Sequence, residues 1–229
     1  MVIVNPDSLS LTLDGLNEAF FYGRSLPRSD REQAARWIAG RQGLPRSYAG
    51  MFAPTERDFA EGAALFTGES ARSNAGLSCK LGQEALRALI LLDVPRPRVQ
   101  EALSRATEGM LARLEGAERR ESVGSGFYCC GSCSVALWRL LAAGGLGNTE
   151  ARLAAGMTIL ESRRDGRGRW RGFPFYYTLL ALTGIEVPLA LAEIQYAAPA
   201  CERSLRRPPG PGKFAQRRRD VIERILARG

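Results

Sequence analysis

A cluster of three cysteines is the first candidate for chemistry: Cys129, Cys130 and Cys133. On a helix, residues three apart are neighbours, so two of these thiols would share one face. Cys79 or Cys201 would complete a four-thiol set for a soft metal such as zinc. However, closed zinc sites usually carry two Cys-x-x-Cys pairs and redox pairs occur in a βαβ context. Because cysteine is also a good small core residue, we expect packing and no bound metal, with a metal or redox role as the alternative.

A polar stripe interrupts the apolar segment Leu77–Leu92: Lys80, Gln83, Glu84 and Arg87. These residues recur at i, i+3, i+4 and i+7, which places them on one face of a helix. The stripe could line the mouth of a cavity and bind a polar head group, or it could face solvent or another helix through salt bridges. Trp138, Tyr176 and Tyr177 could form the apolar wall of the same ligand site, with core packing as the alternative.

A second charged feature is an arginine-rich loop between residues 163 and 171: Arg163, Arg164, Arg167, Arg169 and Arg171. Guanidinium groups bind phosphate through paired hydrogen bonds, so this loop is a candidate anion site. A solvated turn explains it equally well. The C-terminal segment is also basic, since residues 202–229 carry nine basic and three acidic side chains, or +6 of the net +8. It is expected to dock on its own chain or a second copy, or else to touch anionic lipid or nucleic acid.

Several catalytic mechanisms lack the residues that they need. The chain has no histidine, the commonest general base and metal ligand. Its seven aspartates are isolated from one another, so no aspartate-rich motif for magnesium or for alkene protonation is present. Catalytic residues therefore stay unknown, and we expect no cofactor. An enzyme with an unrecognised carboxylate site, for example one using Glu56, Asp58 and Glu61, is kept as an alternative.

The composition is that of a globular protein with one core. The 229 residues are 45% apolar and 24% charged, and no segment approaches the roughly 20 apolar residues that cross a bilayer. The first residues lack the basic and apolar regions of a signal peptide. We therefore expect a cytoplasmic protein with reduced cysteines.

Hydrophobic periodicity predicts an all-α fold. Three segments are apolar nearly all round, as expected for buried helices: Leu77–Leu92, Tyr128–Ala143 and Phe173–Leu182. Amphipathic helices are predicted between them: Asp30–Arg41, Arg98–Leu114 and Thr149–Arg163, with Asp30 and Thr149 as N-caps. The alternation is a degenerate repeat, because an offset of 51 residues aligns Cys79 with Cys130 and Leu86 with Leu137.

One of these connections resembles a known repeat family. The segment Ser162–Ile185, SRRDGRGRWRGFPFYYTLLALTGI, resembles the repeat of prenyltransferase β-subunits and squalene/terpene cyclases, in which a turn containing Asp-Gly and Trp links an outer helix to an inner one. A looser copy of the turn begins at Arg36-Trp37, and the run Cys130–Ala136 resembles an inner helix of that family. The resemblance implies an α/α toroid of outer and inner helix pairs around a cavity. With about three repeats in residues 30–190, this toroid would be incomplete, open on one side, or completed by a second copy or a partner protein.

These observations give three segments and a ranked set of functions. Residues 1–28 are predicted to be an extended N-terminal arm, 29–205 the toroid-like helical domain, and 206–229 a Pro/Gly linker and basic helix. We expect non-catalytic binding of an apolar, isoprenoid-like ligand or of a partner in the central concavity. The alternative is a basic scaffold that binds nucleic acid or an acidic protein through Arg163–Arg171 and the C-terminal tail.

Overall fold

The computed structural model describes residues 3–70, 73–118, 126–208 and 210–229. These residues contain ten α-helices, which account for more than half of the chain, and no β-strand longer than an isolated bridge. The helices are α1 (Leu9–Phe21), α2 (Arg28–Ala39), α3 (Glu56–Glu61), α4 (Asn74–Leu92), α5 (Pro97–Glu118), α6 (Gly131–Ala142), α7 (Thr149–Ser162), α8 (Phe175–Leu182), α9 (Pro188–Leu205) and α10 (Lys213–Leu226). The prediction of an all-α fold is confirmed.

The three predicted buried helices are α4, α6 and α8, and they form the middle of the molecule. Helix α4 packs mainly against α6, which in turn packs against α8. Their apolar side chains are withdrawn from solvent, including Leu86, Trp138 and Leu179, none of which is exposed at all. Burial of these side chains on nearly every face follows from the apolar sequence of each helix and supplies the main stabilisation of the fold.

The amphipathic helices flank this middle layer. Helix α5 packs on α4, α7 on α6, and α9 on α8, while α2 contacts both α4 and α5. The contacts therefore agree with a stack in which outer helices alternate with inner ones; the toroid itself stays a prediction. The predicted N-caps are shifted by one to three residues, since Pro27 and Asn148 occupy the cap positions of α2 and α7.

The N-terminal segment is not an extended arm, which corrects the expectation for residues 1–28. Leu9–Phe21 forms α1, which packs against α4 and buries Leu9, Leu13 and Leu16. Its N-terminus is held from another element, because the Asp58 carboxylate accepts hydrogen bonds from the Leu9 amide (2.9 Å) and the Ser8 hydroxyl (2.6 Å). Satisfying the free amides of the first turn stabilises the helix start.

The basic C-terminal helix docks on its own chain. Helix α10 packs against α8 and α9. The Arg217 guanidinium, 3% exposed, contacts Asp14 and Glu18 of α1, each at 2.6 Å. Helix α10 therefore joins α8 and α9 to α1. No described helix has the length and apolarity needed to span a membrane.

Candidate functional site

A buried polar cluster lies between the inner helices. We use this name for Asn17, Glu84, Arg87, Arg139 and Tyr177. Glu84 of α4 is 3% exposed and accepts hydrogen bonds from Arg139 Nε (2.7 Å) and from the Tyr177 hydroxyl (2.6 Å). Three inner helices thus converge on one carboxylate, which explains how such apolar helices tolerate a charge.

Asn17 of α1 completes the cluster by bridging its charges. Its Nδ2 donates to Glu84 Oε2 (3.3 Å), and its Oδ1 accepts from Arg87 Nη1 (2.8 Å) and Arg139 Nη2 (3.1 Å). Arg87 approaches Glu84 itself only to 3.8 Å. One carboxylate therefore faces two guanidinium groups, and the buried polar cluster carries one excess positive charge.

This arrangement shifts the pKa values of its members. Burial raises the pKa of Glu84, but the nearby Arg139 and Arg87 charges outweigh it and lower the pKa to about 2. Burial and the neighbouring Arg139 charge lower the pKa of Arg87 to about 10, against the opposing effect of Glu84. Burial, followed by the Glu84 charge, raises the pKa of Tyr177 well above its usual value. At neutral pH the carboxylate is therefore ionised and the phenol is neutral.

A pocket of about 210 Å³ opens next to the buried polar cluster, near the C-terminal ends of α1, α4, α6 and α8. We call it the inner pocket. Its charged lining residues are Arg87, Arg139 and Arg224. Its apolar lining includes Phe20, Phe21, Phe66, Leu91 and Leu180. The Arg224 guanidinium lies over the Phe21 ring at 4.0 Å and makes no ion pair with the described residues.

The seven predicted ligand residues do not form one site. Arg87 lines the inner pocket, with Glu84 and Tyr177 directly behind it. Trp138 lies in the core, where it stacks on Phe173 (5.4 Å between centroids) and donates to the Gly126 carbonyl (2.7 Å). The remaining three residues lie at two other places: Tyr176 in a separate groove, and Lys80 and Gln83 beside the cysteines.

The predicted cysteine cluster gains a fourth member from α4. The sulfur atoms of Cys129, Cys130 and Cys133 lie within 4.8 Å of one another at the start of α6. Cys79 lies beside Cys129 and Cys133, outside that group of three sulfurs, and its sulfur accepts a hydrogen bond from Gln83 Nε2 (3.1 Å). We call these four residues the thiol cluster.

The thiol cluster combines one acidic thiol with less acidic ones. Hydrogen bonds from Cys133 and Cys79 lower the pKa of Cys129 to about 3, with a further contribution from the Lys80 charge. Hydrogen bonding to Cys129 raises the pKa of Cys79 to about 12 and also raises that of Cys133. Sharing of protons among sulfur atoms thus favours a negative charge on Cys129. The fifth cysteine, Cys201, is buried in α9, where burial raises its pKa to about 11.

The arginine loop is an ordered turn held by Asp165. This carboxylate accepts hydrogen bonds from the Arg167 amide (2.7 Å) and the Tyr196 hydroxyl (3.1 Å). Arg164 forms an ion pair with Glu193, with 2.7 Å between Nη2 and Oε1. The other four arginines of the loop are exposed: Arg163, Arg167, Arg169 and Arg171.

One loop arginine meets the C-terminal segment in a basic groove of about 280 Å³. The groove is lined by Arg169, Arg207, Arg218 and Arg219 around the ring of Tyr176, and no acidic side chain in the described part of the chain lines it. The Arg218 guanidinium lies over that ring at 5.0 Å, while its Nε donates to the Thr67 carbonyl (2.7 Å).

The three carboxylates considered for an enzyme have structural partners. Asp58 is 2% exposed and is used in capping α1 and α3, where it also accepts from the Thr55 amide (2.8 Å). Glu56 and Glu61 are exposed and pair with Arg46 (2.9 Å) and Arg57 (3.0 Å). The buried carboxylate already accepts at least four hydrogen bonds, so its oxygens are occupied by structural partners.

Comparisons of this chain with models of known protein families, with curated proteins and with solved structures found no match. The resemblance to prenyltransferase and cyclase repeats therefore stays a prediction. Two members of the buried polar cluster, Asn17 and Arg139, were missing from the predicted site. Arg139 is the only charge on its apolar helix, and a lone charge there signals a buried partner.

Proposed function

We propose that the protein binds a small organic anion with a short apolar group in the inner pocket. The observation that carries this proposal is the charge balance: three arginines line the pocket, and among the described residues the only carboxylate bonded to them is Glu84 behind it. This leaves an excess of two positive charges at a partly buried surface. An anionic group on a ligand would neutralise part of that excess in a region where charge interactions are weakly screened.

The donors of the pocket suit a carboxylate or a phosphate ester. Arg139 is occupied by Glu84 and Asn17, so it serves mainly to hold the cluster. Arg87 makes one hydrogen bond, to Asn17, which leaves most of its five N–H donors free. Arg224 is exposed and rests on Phe21, so it can turn toward an anion without breaking an ion pair. Two guanidinium groups can together hold an oxyanion through several charge-assisted hydrogen bonds.

The size of the pocket favours a short apolar group. Its volume of about 210 Å³ is below the roughly 300–1,000 Å³ of sites for drug-sized ligands. A single ring or short alkyl chain among Phe20, Phe66 and Leu180 suits this volume better than a long isoprenoid. The expectation of an isoprenoid-like ligand is therefore narrowed to a small member of that class or to an aromatic acid.

Calorimetric titration with three probes of similar shape tests the proposal: phenyl phosphate, benzoate and benzyl alcohol. We expect the two anions to bind, the neutral alcohol not to bind, and the affinity to fall as salt is added. Arg87→Met should weaken anion binding at least tenfold, while Arg163→Met, which changes an exposed loop arginine, should leave it unchanged. Equal binding of the alcohol, or an equal loss in both variants, would refute the proposal.

A second candidate function concerns the basic groove. Arg169 of the loop and three arginines of residues 206–219 line it, and no described acidic side chain is part of the lining, which favours binding of a phosphate-rich polymer such as single-stranded nucleic acid. Deletion of residues 206–229 is a poor test because α10 buries Val221, Ile222 and Ile225. Instead, the double variant Arg169→Gln/Arg207→Gln should bind oligonucleotides more weakly, and its affinity should depend less steeply on salt. The double variant Arg163→Gln/Arg171→Gln removes the same charge outside the groove and is the control. Equal losses in both pairs would indicate general charge attraction and would reject the groove.

A further inference from the structure

We propose that the thiol cluster, Cys79, Cys129, Cys130 and Cys133, is a binding site for one soft divalent cation of the zinc type. This site is separate from the inner pocket and does not depend on the function proposed for it. It would join the start of α6 to α4.

The sulfur positions are close to those that a tetrahedral metal needs. A zinc–sulfur bond of about 2.3 Å corresponds to sulfur–sulfur distances of about 3.8 Å in a tetrahedron. The sulfurs of Cys129, Cys130 and Cys133 already lie within 4.8 Å of one another. Cys79 of α4 lies beside Cys129 and Cys133 but outside the group of sulfurs that are within 4.8 Å of one another, so its side chain has to move toward the ion. Contraction by less than about 1 Å would therefore give three of the four bonds.

Core packing explains only two of the four cysteines in the thiol cluster. Cys79 and Cys133 are 2% and 1% exposed, as expected for small core residues. Cys129 and Cys130 are exposed and therefore fill no space in the core. Their exposure also gives an ion a path to the buried sulfurs. The fourth ligand comes from a helix 50 residues earlier in the chain, which is why a single Cys-x-x-Cys pair is enough here.

The surroundings of the thiol cluster suit a negatively charged set of sulfurs. Lys80 is 4% exposed, makes no ion pair with any described carboxylate, and acts electrostatically on Cys129. A buried ammonium normally requires a counter-charge, and thiolates supply it. Cys130 is the N-cap of α6 and Cys133 lies in its first turn, where the helix dipole favours anions.

Gln83 is a further neighbour that favours a negatively charged sulfur in the thiol cluster. Its Nε2 donates to Cys79 at 3.1 Å, while its Oε1 is buried and has no hydrogen-bond partner among the described residues. The amide is thus oriented to donate to sulfur at the cost of an unsatisfied oxygen, an orientation that is favourable when the sulfur is a thiolate. Hydrogen bonds of this kind to ligand atoms orient metal ligands in proteins.

Metal binding here involves no oxidation. Each thiol releases its proton to solvent as its sulfur forms a bond to the cation, so up to four protons leave for one ion bound. With four sulfur ligands the coordination is complete, which is typical of structural zinc sites.

Cobalt titration of the reduced, metal-free full chain tests the proposal. The protein should carry no polyhistidine tag, because the tag would bind the metal. The chain itself has no histidine that could compete. We expect one Co²⁺ per chain, with the intense ligand-field bands of tetrahedral thiolate coordination, and displacement of cobalt by Zn²⁺. Cys79→Ser and Cys133→Ser should each raise the dissociation constant at least a hundredfold. Cys201→Ser is the matched control, a buried cysteine outside the thiol cluster, and should bind like the wild type.

Thermal unfolding distinguishes a built site from adventitious binding by exposed thiols. Zinc should raise the melting temperature of the wild type and of Cys201→Ser but not of Cys133→Ser, with circular dichroism used to verify that each variant is folded. Failure of the wild type to bind cobalt, or formation of a disulfide in place of metal binding, would overturn the proposal. So would unchanged affinity in Cys79→Ser, which would indicate that the cysteines at the start of α6 hold the metal without Cys79.

Discussion

Replacing Glu84 by glutamine removes the one negative charge of the buried polar cluster while keeping its shape. The amide can still accept from Tyr177, so the change isolates charge rather than volume. Arg139, 6% exposed, then loses the one described carboxylate that pairs with it. Breaking a buried ion pair by removing one partner costs about 3–5 kcal/mol.

The pKa of Glu84 gives an independent value for the contribution of its charge to the folding free energy. It lies at about 2 in the folded protein, compared with 4.5 for an ordinary glutamate. At about 1.4 kcal/mol per pKa unit, the ionised carboxylate contributes about 3 kcal/mol to folding. Because the pKa is lowered on folding, this stabilisation is fully present above pH 4.5 and is lost as the pH falls toward 2.

Urea unfolding of wild type and Glu84→Gln between pH 7 and pH 3 measures this effect. We expect a difference in unfolding free energy of about 3 kcal/mol at pH 7 that shrinks steadily below pH 4.5. Glu56→Gln is the control, since its carboxylate is 88% exposed and should contribute less than about 1 kcal/mol. A Glu84 difference below about 1 kcal/mol, or one that does not change with pH, would refute the charge account of the cluster.

Two further predictions concern how the helices are joined. Gly131→Ala should destabilise the fold by about 1–3 kcal/mol in urea unfolding, because a Cβ at this position overlaps the Gly172 carbonyl. In Gly147→Ala the added Cβ meets no atom within 4 Å, so the unfolding free energy should change by less than about 0.5 kcal/mol. A similar loss of stability in the two variants would contradict this packing. Arg217→Met should accelerate proteolysis of the linker at residues 206–212, because it removes the buried ion pairs of α10 with Asp14 and Glu18 of α1. Arg219→Met, whose partner Glu223 is 52% exposed, should not, and equal rates would show that these ion pairs do not hold α10 in place.

The sequence predicted the helices whose periodicity is strong and missed those whose local signals conflict. Helices α4, α6 and α8 follow directly from long apolar segments. Helix α1 was missed because Asp14-Gly15 interrupts a short segment, and its stability depends on capping by the distant Asp58. Helix α9 contains Pro199, which normally ends a helix. There the proline is exposed, so the carbonyl it leaves unpaired can bond to water.

The candidate sites could be predicted only in part because they are assembled from distant segments. The stripe on α4 was recognised, yet its residues divide between two sites: Arg87 faces the inner pocket, whereas Lys80 faces the thiol cluster. Helical spacing indicates which residues share a face but not which neighbouring helix each one meets. The pairing of Glu84 with Arg139, 55 residues away, required the packing of α4 on α6.

The most direct test of the central claim is to locate a bound anion in a crystal. Crystals soaked in 4-iodobenzoate at several concentrations would reveal the iodine by its anomalous scattering. We predict one site at low concentration, with the carboxylate between Arg87 and Arg224 and the ring against Phe20 or Phe66, and no such site in crystals of Arg87→Met. Iodine found only in the basic groove or on the surface, or retained in the inner pocket of that variant, would contradict the account.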